Sequence, residues 1–222
     1  MTQNKTKPLL IGLTGYAGSG KDTLADIMTR DYGFKRLSFA DKLKDILADL
    51  YGVPRQIFDD RTLKNEPCRE LGWKTPREAA QLIGTEGFRN LIRRDTWVDF
   101  VMRQVDQGLN SPDNPGGIVI TDVRFPEEFN AVAEQGGFVI GVMRNDHENY
   151  IAPESEKHIA DLQERSHIRV HNNKSICDLK FKVICALSCI ETMKESAANG
   201  ILNQVDRDGN EVNAKKRMGM GA

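Results

Sequence analysis

A glycine-rich loop near the start of the chain constrains its fold more than any other stretch. Residues 15–23 read Gly-Tyr-Ala-Gly-Ser-Gly-Lys-Asp-Thr, with an apolar run (9–13) before them and a helix-forming run (24–28) after them. A phosphate-binding loop requires this order of strand, loop and helix. Its glycines let backbone N–H groups point inward, and the helix N-terminus adds a partial positive charge. The loop predicts a strand–loop–helix unit that binds a phosphate group, with Lys21 reaching the outer phosphates.

Length and composition narrow the class of protein. The 222 residues suffice for one domain, or for one domain with a large insertion, and the net charge of -1 gives no sign of a nucleic-acid or membrane partner. No apolar run is long enough to span a bilayer, and the polar start (1–7) lacks the apolar core of a signal peptide. We therefore expect a cytoplasmic protein.

The cysteines and histidines do not indicate a metal site. The four cysteines lack zinc spacing, so we expect all of them to be reduced. Cys177, Cys185 and Cys189 share a predicted helix, and we expect these three to pack in the core. The four histidines are scattered, and we expect His167 and His171 to be structural.

Apolar runs alternate with helical patterns along much of the chain. Strands are predicted at 9–13, 34–39, 118–121, 138–143 and 168–171, and helices at 22–30, 40–51, 126–135 and 175–197. This alternation predicts an α/β fold with a mostly parallel five-stranded sheet flanked by helices. Ligands of such sheets bind at the carboxyl ends of the strands, where the glycine loop and Asp122 would meet.

The stretch 55–114 interrupts this alternation. It is polar, rich in arginine and helical in character, and Thr75-Pro76-Arg77-Glu78 has the pattern of a helix start. We predict one domain over 8–198, with core segments 8–54 and 115–198, a helical substrate-binding insertion at 55–114 and a lid at 144–166. The polar tail (199–222) is expected to be mobile, although its Asp208-Gly209 pair could turn a small hairpin.

Several residues near the expected site suit phosphate chemistry. Asp122, at a strand end beside the glycine loop, could hold the shell of a magnesium ion or act as a base. Arg124 could reach a phosphate or form a surface salt bridge, and arginines of the insertion could surround transferring charge. Trp97 could stack on a base or pack in the core.

Five stretches together resemble the phage-type deoxynucleoside monophosphate kinases. They are Gly-Ser-Gly-Lys-Asp-Thr-Leu-Ala-Asp (18–26), Leu-Ser-Phe-Ala-Asp-Lys-Leu-Lys (37–44), Pro-Arg-Glu-Ala-Ala-Gln-Leu-Ile-Gly-Thr-Glu (76–86), Asp-Thr-Trp (95–97) and Thr-Asp-Val-Arg-Phe-Pro-Glu-Glu (121–128). The resemblance continues to the Ser155-Glu156 pair and to residues 168–173, in order, and spans about residues 9 to 190. Asp22 after the loop lysine departs from the general motif but is this family's own form.

The resemblance implies a P-loop kinase fold and transfer of the γ-phosphoryl group of ATP to a deoxynucleoside 5′-monophosphate, giving dNDP and ADP. It implies ATP and Mg²⁺ as cofactors, a dNMP substrate, no polymeric nucleic acid or membrane partner, a possible homodimer, and the host cytoplasm if the source is viral. The catalytic residues would be Lys21, Asp122 and Arg124. Asp22 or Asp122 would act on the metal through water, while Thr23 would contact a phosphate.

The same resemblance assigns the remaining contacts. ATP binding would involve Gly15, Ala17, Gly18, Ser19, Gly20, Lys21, Asp22, Thr23, Asn172 and Asn173. The monophosphate would be bound by Lys42, Arg77, Gln81, Thr85, Arg89 and Trp97, and the lid would contribute Arg144 or Arg165.

Two other functions share part of this pattern. A kinase similar to dephospho-CoA kinases would have the same loop, the same parallel sheet and an asparagine near the last strand. A non-catalytic protein that uses ATP as a binding switch would need the loop but no acceptor site. The arginine-rich insertion and the candidate lid favour a kinase over the switch.

Overall fold

The computed structural model describes residues 8–111, 116–144 and 157–198, and the backbone of 204–205 and 211–212. Its main sheet has five strands, all paired in parallel, in the order β2-β3-β1-β4-β5. The strands are β1 (Leu9–Thr14), β2 (Phe34–Leu37), β3 (Gly117–Ile120), β4 (Phe138–Met143) and β5 (Ile168–His171). The predicted five-stranded parallel sheet is confirmed.

Helices connect these strands, as the alternation predicts. They are α1 (Lys21–Tyr32), α2 (Asp41–Tyr51), α3 (Pro76–Gln81), α4 (Thr96–Leu109), α5 (Pro126–Glu134), α6 (Ile159–Arg165) and α7 (Ile176–Ala198). Short 3₁₀ turns cover Arg55–Phe58 and Leu63–Asn65. Helix α4 has 14 residues and lies at the end of the insertion.

The main core lies around the central strands. Ile118 and Ile120 of β3 and Val139 of β4 are fully buried, as is Val105 of α4. Every residue of β3 is buried, as expected for an inner strand of a parallel sheet that is covered on both faces. The β-branched side chains of this strand suit such a position.

The insertion shares a second hydrophobic cluster with α2. Leu43 and Leu47 of α2 pack there with Phe58, Leu71 and Ala79. Trp97, at the start of α4, packs against both this cluster and the main core. The insertion is therefore anchored to the sheet domain by apolar contacts.

A capping box starts the first helix of the insertion, as its sequence predicts. The Thr75 hydroxyl accepts a hydrogen bond from the Glu78 N–H (3.1 Å), and the Glu78 carboxylate accepts one from the Thr75 N–H (2.8 Å). After α3 the chain stays helical but widens into π-helical turns over Leu82–Ile92. The N–H of Arg93 donates to the carbonyl of Phe88, five residues back (2.9 Å). Gly84 and Gly87 therefore lie within a π-helical segment, and π-helical turns are frequent at functional sites.

The prediction that three cysteines of the last helix pack in the core is wrong. Cys177, Cys185 and Cys189 are all exposed, and the buried face of α7 carries Val183 and Ile190. Side chains seven apart lie on one helical face, whereas positions 185 and 189 fall on a neighbouring face. All four cysteines are free thiols, as predicted.

The chain divides within α7 into two units, residues 1–180 and 181–222, and the second contains the described part of the tail. There, β6 (Gln204–Val205) pairs antiparallel with β7 (Glu211–Val212), which supports the predicted hairpin. Its turn residues and most of the predicted lid (145–156), including Ser155 and Glu156, lie outside the described residues. Among the described helices, none is long and apolar enough to cross a membrane.

Candidate active site

The glycine loop leaves β1 at the centre of the sheet and has a backbone that side chains would disturb. Gly15 has φ 150° and Gly20 has φ 100°. A Cβ atom at Gly15 would lie 2.4 Å from the carbonyl oxygen of Val142. One at Gly20 would lie 2.1 Å from the side-chain nitrogen of Asn172. Both positions therefore combine a left-handed backbone with a close approach that only glycine permits.

Lys21 lies across this loop at the first turn of α1. The residue is buried, and its Nζ donates to the carbonyl oxygens of Gly15 (2.5 Å) and Tyr16 (2.8 Å). The N-cap residue of α1 is Gly20, which has no side chain to cap the helix. The Ser19 hydroxyl is buried without a hydrogen-bond partner in the described part of the chain. A helix start with uncapped N–H groups beside a lysine suits a bound anion, so the loop fits the phosphates of a nucleotide.

A pocket opens beside the loop at the ends of β4 and β5. Its volume is about 580 Å³, and its lining consists of Thr23, Arg144, Asn172, Asn173, Lys174, Ile176 and Leu179. The Asn172 side chain donates to the Ser19 carbonyl (2.9 Å), and Arg144 donates to the Gly18 carbonyl (3.3 Å). The structure thus brings the glycine loop together with Asn172, Asn173 and Arg144, in a cavity of the size that small-molecule ligands occupy.

Asp122 lies directly after β3, where it holds the turn between β2 and α2. Its carboxylate accepts hydrogen bonds from the Ser38 hydroxyl (2.8 Å) and from the N–H groups of Phe39 (2.8 Å) and Ala40 (3.1 Å). Lys42 follows this turn on α2, and its side chain is exposed. The sequence did not reveal the Asp122–Ser38 pair, because it joins residues from two different crossover connections.

Asp22, the other predicted metal-associated carboxylate, lies in the first turn of α1 and pairs with Arg36 of β2. Arg36 also pairs with Asp26 of α1 (2.9 Å). Within the described ranges, no group of three or more His, Cys, Asp or Glu residues has the arrangement of a metal site. Asp22 and Asp122 are therefore separate carboxylates, each with its own partner, in the part of the chain that the structure describes.

A buried acid, Glu128, holds the chain segment that contains Arg124. One oxygen of its carboxyl group accepts hydrogen bonds from the N–H groups of Arg124 (2.7 Å) and Phe125 (3.1 Å). Burial, together with the negative charge of Asp122, raises the pKa of Glu128 to about 8. Our sequence reasoning missed this residue. The signal was present, since Pro126 and Glu128 repeat the spacing of Pro76 and Glu78 at the start of α3.

Arg89 joins the insertion to this same segment. It is buried, its Nη2 lies 2.6 Å from the carboxylate of Glu127, and its guanidinium carbon lies 3.5 Å from the centre of the Phe125 ring. A predicted substrate-binding arginine is therefore already engaged by the turn after β3.

Four other predicted acceptor-site residues lie within the insertion or at its end. Trp97 donates its indole N–H to the Gly84 carbonyl (3.1 Å), and its ring packs against Phe88 with the ring centres 5.0 Å apart. Thr85 is buried, Gln81 is half-buried and Arg77 is exposed. Of these four, Trp97 thus has a clear packing role.

Arg165, the second predicted lid arginine, lies at the end of α6. Its side chain donates to Asn130 of α5 (3.0 Å) and Asp161 of α6 (3.4 Å), and it lies 4.7 Å from the centre of the Phe129 ring. None of these partners belongs to the glycine loop, whereas Arg144 contacts the loop directly.

The sequence of this chain was compared with models of known protein families. The model of the family described as deoxynucleotide monophosphate kinase matches residues 68–183, just over half of the chain. The chain belongs to the deoxynucleotide monophosphate kinase family. The match covers the insertion from Cys68 on and the strand ends that carry Asp122 and Arg144.

Two curated relatives of this chain come from viruses. A protein of Acanthamoeba polyphaga mimivirus, provisionally named a deoxynucleotide monophosphate kinase, is 28% identical over 200 residues, which are 84% of this chain and 98% of the relative. The deoxynucleoside-5′-monophosphate kinase of Escherichia phage T5 is 25% identical over 185 residues, with 57% of this chain and 72% of the relative covered. The solved dephospho-CoA kinase of Campylobacter jejuni is similar with a TM-score of 0.45 and 18% identity, covering 83% of this chain and 98% of its own.

Proposed function

We propose that this chain transfers the γ-phosphoryl group of ATP to the phosphate of a deoxynucleoside 5′-monophosphate, giving dNDP and ADP. The observation that carries the proposal is the geometry of the phosphate loop, with Lys21 folded over it and an uncapped helix behind it. This loop lies outside the residues that the family model matches, so the two lines of support are independent.

The donor half of the reaction would use the loop and the adjoining pocket. Backbone N–H groups of residues 15–23 would hold the ATP phosphates, and Lys21 would move from the loop carbonyls to the transferring group. Asn172 and Asn173 line the pocket in which we place the adenosine. Arg144, which already reaches the Gly18 carbonyl, is placed to contact a phosphate that replaces this bond.

The acceptor half would use the insertion. The exposed cations Lys42 and Arg77 are best placed for direct contact with the monophosphate, together with the half-buried Gln81. Arg89, Thr85 and Trp97 are buried or engaged, so we assign them to shaping this surface. Their engagement would keep the insertion in register with the turn that carries Arg124.

A magnesium ion, which the family implies, would be held chiefly by the ATP phosphates. Magnesium commonly keeps several waters and takes only one or two carboxylates besides phosphates. Because the carboxylates of Asp22 and Asp122 already have partners, we propose that either acts on the ion through water. The ion would supply neutralisation of the phosphate charge.

The residues of the chain would position the two substrates and stabilise the negative charge of the reaction. Phosphoryl transfer needs the acceptor oxygen in line with the γ-phosphorus and cations around the spreading charge. Lys21 and Arg124 would provide that charge, and Glu128 would fix the backbone of Arg124. Exclusion of bulk water would keep water from becoming the acceptor.

The test is a coupled assay that monitors ADP release. It contains ATP, Mg²⁺ and, in turn, each of dTMP, dGMP, dCMP, dAMP and dephospho-CoA. We expect turnover that depends on one or more of the deoxynucleotides. Turnover with dephospho-CoA alone would contradict the proposed acceptor. ATP binding without acceptor-dependent turnover would instead support the non-catalytic switch.

A further inference from the structure

The last helix, α7, is apolar on two opposite faces. Leu179, Val183 and Ile190 lie on its buried face. The opposite face carries a row of exposed side chains, spaced three and four residues apart: Phe181, Ile184, Cys185, Ser188, Cys189 and Thr192. Phe181 is 64% exposed and Ile184 is 52% exposed. A helix that is apolar all round is usually covered all round, so the outer row calls for a partner.

The charges of α7 flank this outer row and differ between the two halves of the helix. All six side chains of the row are uncharged. The first half of the helix, 176–186, has two lysines and one aspartate, whereas the second half, 187–198, has one lysine and two glutamates. Single exposed apolar residues are common on protein surfaces, but a contiguous group with a polar rim marks an interaction surface. The outer row is therefore an apolar strip between a positive half and a negative half.

This distribution of charge suits a second copy of the same helix in antiparallel orientation. An antiparallel pair places the positive half of each helix beside the negative half of the other, whereas a parallel pair places like charges together. The row also has its midpoint between residues 186 and 187, close to the midpoint of α7 (Ile176–Ala198). Two copies related by a two-fold axis at this point would therefore cover each other's outer row along its whole length.

We propose that the outer row of α7 binds the same row of a second copy of this chain, as an antiparallel helix pair with its two-fold axis beside residues 186–187. Cys185 of one copy then lies opposite Cys189 of the other, and Phe181 lies opposite Thr192. A contact along about three helical turns is smaller than the roughly 800 Å² per partner of stable interfaces, so we expect a Kd for the dimer of about 10–100 µM. This association does not depend on the reaction that the chain catalyses.

The association is tested by sedimentation equilibrium of the full chain under reducing conditions, at about 2 µM and about 200 µM. We expect mostly monomer at the lower concentration and mostly dimer at the higher one. Ile184→Glu places a charge in the middle of the row and should stay monomeric at both concentrations. Leu50→Glu changes a leucine on α2 that is 70% exposed, so it is the matched control and should dimerise normally. A monomeric unmodified chain at about 200 µM, or equal dimerisation of Ile184→Glu and Leu50→Glu, would overturn the proposal.

The orientation is tested by oxidising the chain with copper phenanthroline in air and measuring the covalent dimer by non-reducing electrophoresis. A disulfide requires Cα atoms within about 7 Å of each other. In the antiparallel pair, Cys185 and Cys189 of opposite copies would be level, whereas two Cys185 residues would lie about 6 Å apart along the axis in addition to the spacing between the helices.

The covalent dimer should therefore depend on both of these cysteines. Cys185→Ser and Cys189→Ser should each lose it, an equal mixture of the two variants should regain it, and Cys177→Ser should keep it. A covalent dimer that persists in Cys189→Ser would overturn the antiparallel pair. A chain that stays monomeric and whose thiols react slowly with a maleimide would also overturn it, and would indicate that the tail (199–222) covers the row.

Discussion

Single side chains from distant parts of the chain hold the phosphate loop in shape. Asn172 donates to the Ser19 carbonyl and occupies the space where a side chain on Gly20 would begin. Lys21 satisfies two carbonyls of the loop from within it. Lys21 of α1, Asn172 after β5 and Arg144 after β4 therefore all bond to carbonyls of the loop.

Replacing Lys21 by alanine should separate catalysis from folding. We expect turnover to fall by about a thousandfold, since the charge that stabilises the transferring phosphoryl group is lost. The chain should still fold, although two loop carbonyls lose their donor. Lys35→Ala, at an exposed position on β2, is the matched control and should keep normal turnover. Near-normal turnover of Lys21→Ala would exclude the proposed role of the loop.

Replacing Asn172 by alanine should weaken ATP binding selectively. The change removes the bond to Ser19 and part of the pocket lining, so we expect the KM for ATP to rise about tenfold and the KM for the acceptor to stay within about twofold. Asn110→Ala loses a similar side-chain bond, to the Asp106 carbonyl at the end of α4, and serves as control. Equal effects of the two substitutions would argue against a specific role.

At this scale, the motif residues were predictable and their partners were not. The positions of Lys21 and Gly20 follow from the loop sequence, because a fixed spacing gives the geometry. The pairing of Arg89 with Glu127, of Asp122 with Ser38 and of Asp22 with Arg36 depends on which elements pack together. No local pattern in the sequence records that choice.

Among the elements, the start of α5 has the most unusual electrostatics. Glu128 is buried next to Asp122, and its pKa of about 8 means that it stays protonated at neutral pH. The carboxyl group of a neutral acid can still accept hydrogen bonds from the N–H groups of Arg124 and Phe125. The turn thereby gains two hydrogen bonds without adding a second negative charge beside Asp122.

Replacing Glu128 by glutamine should therefore be tolerated and should change the pH dependence of stability. Between pH 4.5, its ordinary pKa, and about 8, the folded chain holds one proton more than the unfolded chain, so the free energy of unfolding falls as pH rises. The slope from this group approaches about 1.4 kcal/mol per pH unit at most. Glutamine does not titrate. The free energy of unfolding of Glu128→Gln, measured in urea at pH 5, 6.5 and 8, should therefore rise relative to that of the unmodified chain as the pH rises.

Replacing Glu128 by alanine gives the contrasting variant. The buried N–H of Phe125 and the partly buried N–H of Arg124 would lose their acceptor, and we expect a loss of about 2–4 kcal/mol in the free energy of unfolding at pH 7. In the coupled assay, kcat should fall in Glu128→Ala and recover in Glu128→Gln. A stability difference between wild type and Glu128→Gln that is constant from pH 5 to 8 would show that Glu128 is ionised throughout.

The elements also show where sequence patterns stop being informative. The capping box at Thr75 was predictable because its residues are three apart and interact locally. The π-helical segment Leu82–Ile92 was not, since apolar spacing does not distinguish hydrogen bonds to the fourth residue from those to the fifth. The exposed cysteines of α7 were mispredicted because the face that is buried depends on packing.

On the scale of the whole molecule, Trp97 connects the insertion to the sheet domain. It touches both hydrophobic clusters, and its indole N–H holds the π-helical segment at Gly84. The number and direction of the strands were predictable from alternation. The dependence of two clusters on one side chain was not, because the sequence around Trp97 is compatible with stacking on a base as well as with packing in the core.

Substitutions at Trp97 should therefore reduce stability more than substitutions at the other tryptophan. We expect Trp97→Phe to cost about 1 kcal/mol through the lost hydrogen bond, and Trp97→Ala about 3 kcal/mol through the cavity. Trp73 is 71% exposed, so Trp73→Phe should change stability by less than about 0.5 kcal/mol. Urea unfolding followed by circular dichroism measures all three, and equal effects at both tryptophans would refute the bridging role.

The central place of β1 has a consequence for how the protein is made. Its neighbours in the sheet are β3, where Leu9 pairs with Gly117, and β4, where Ile11 pairs with Phe138. A chain emerging from the ribosome therefore exposes the first strand long before either neighbour has been synthesised. Asn172, which braces the loop, follows later still. The glycine loop is therefore translated before β3, β4 and Asn172, and it should become able to hold a nucleotide only after all of them have folded around it.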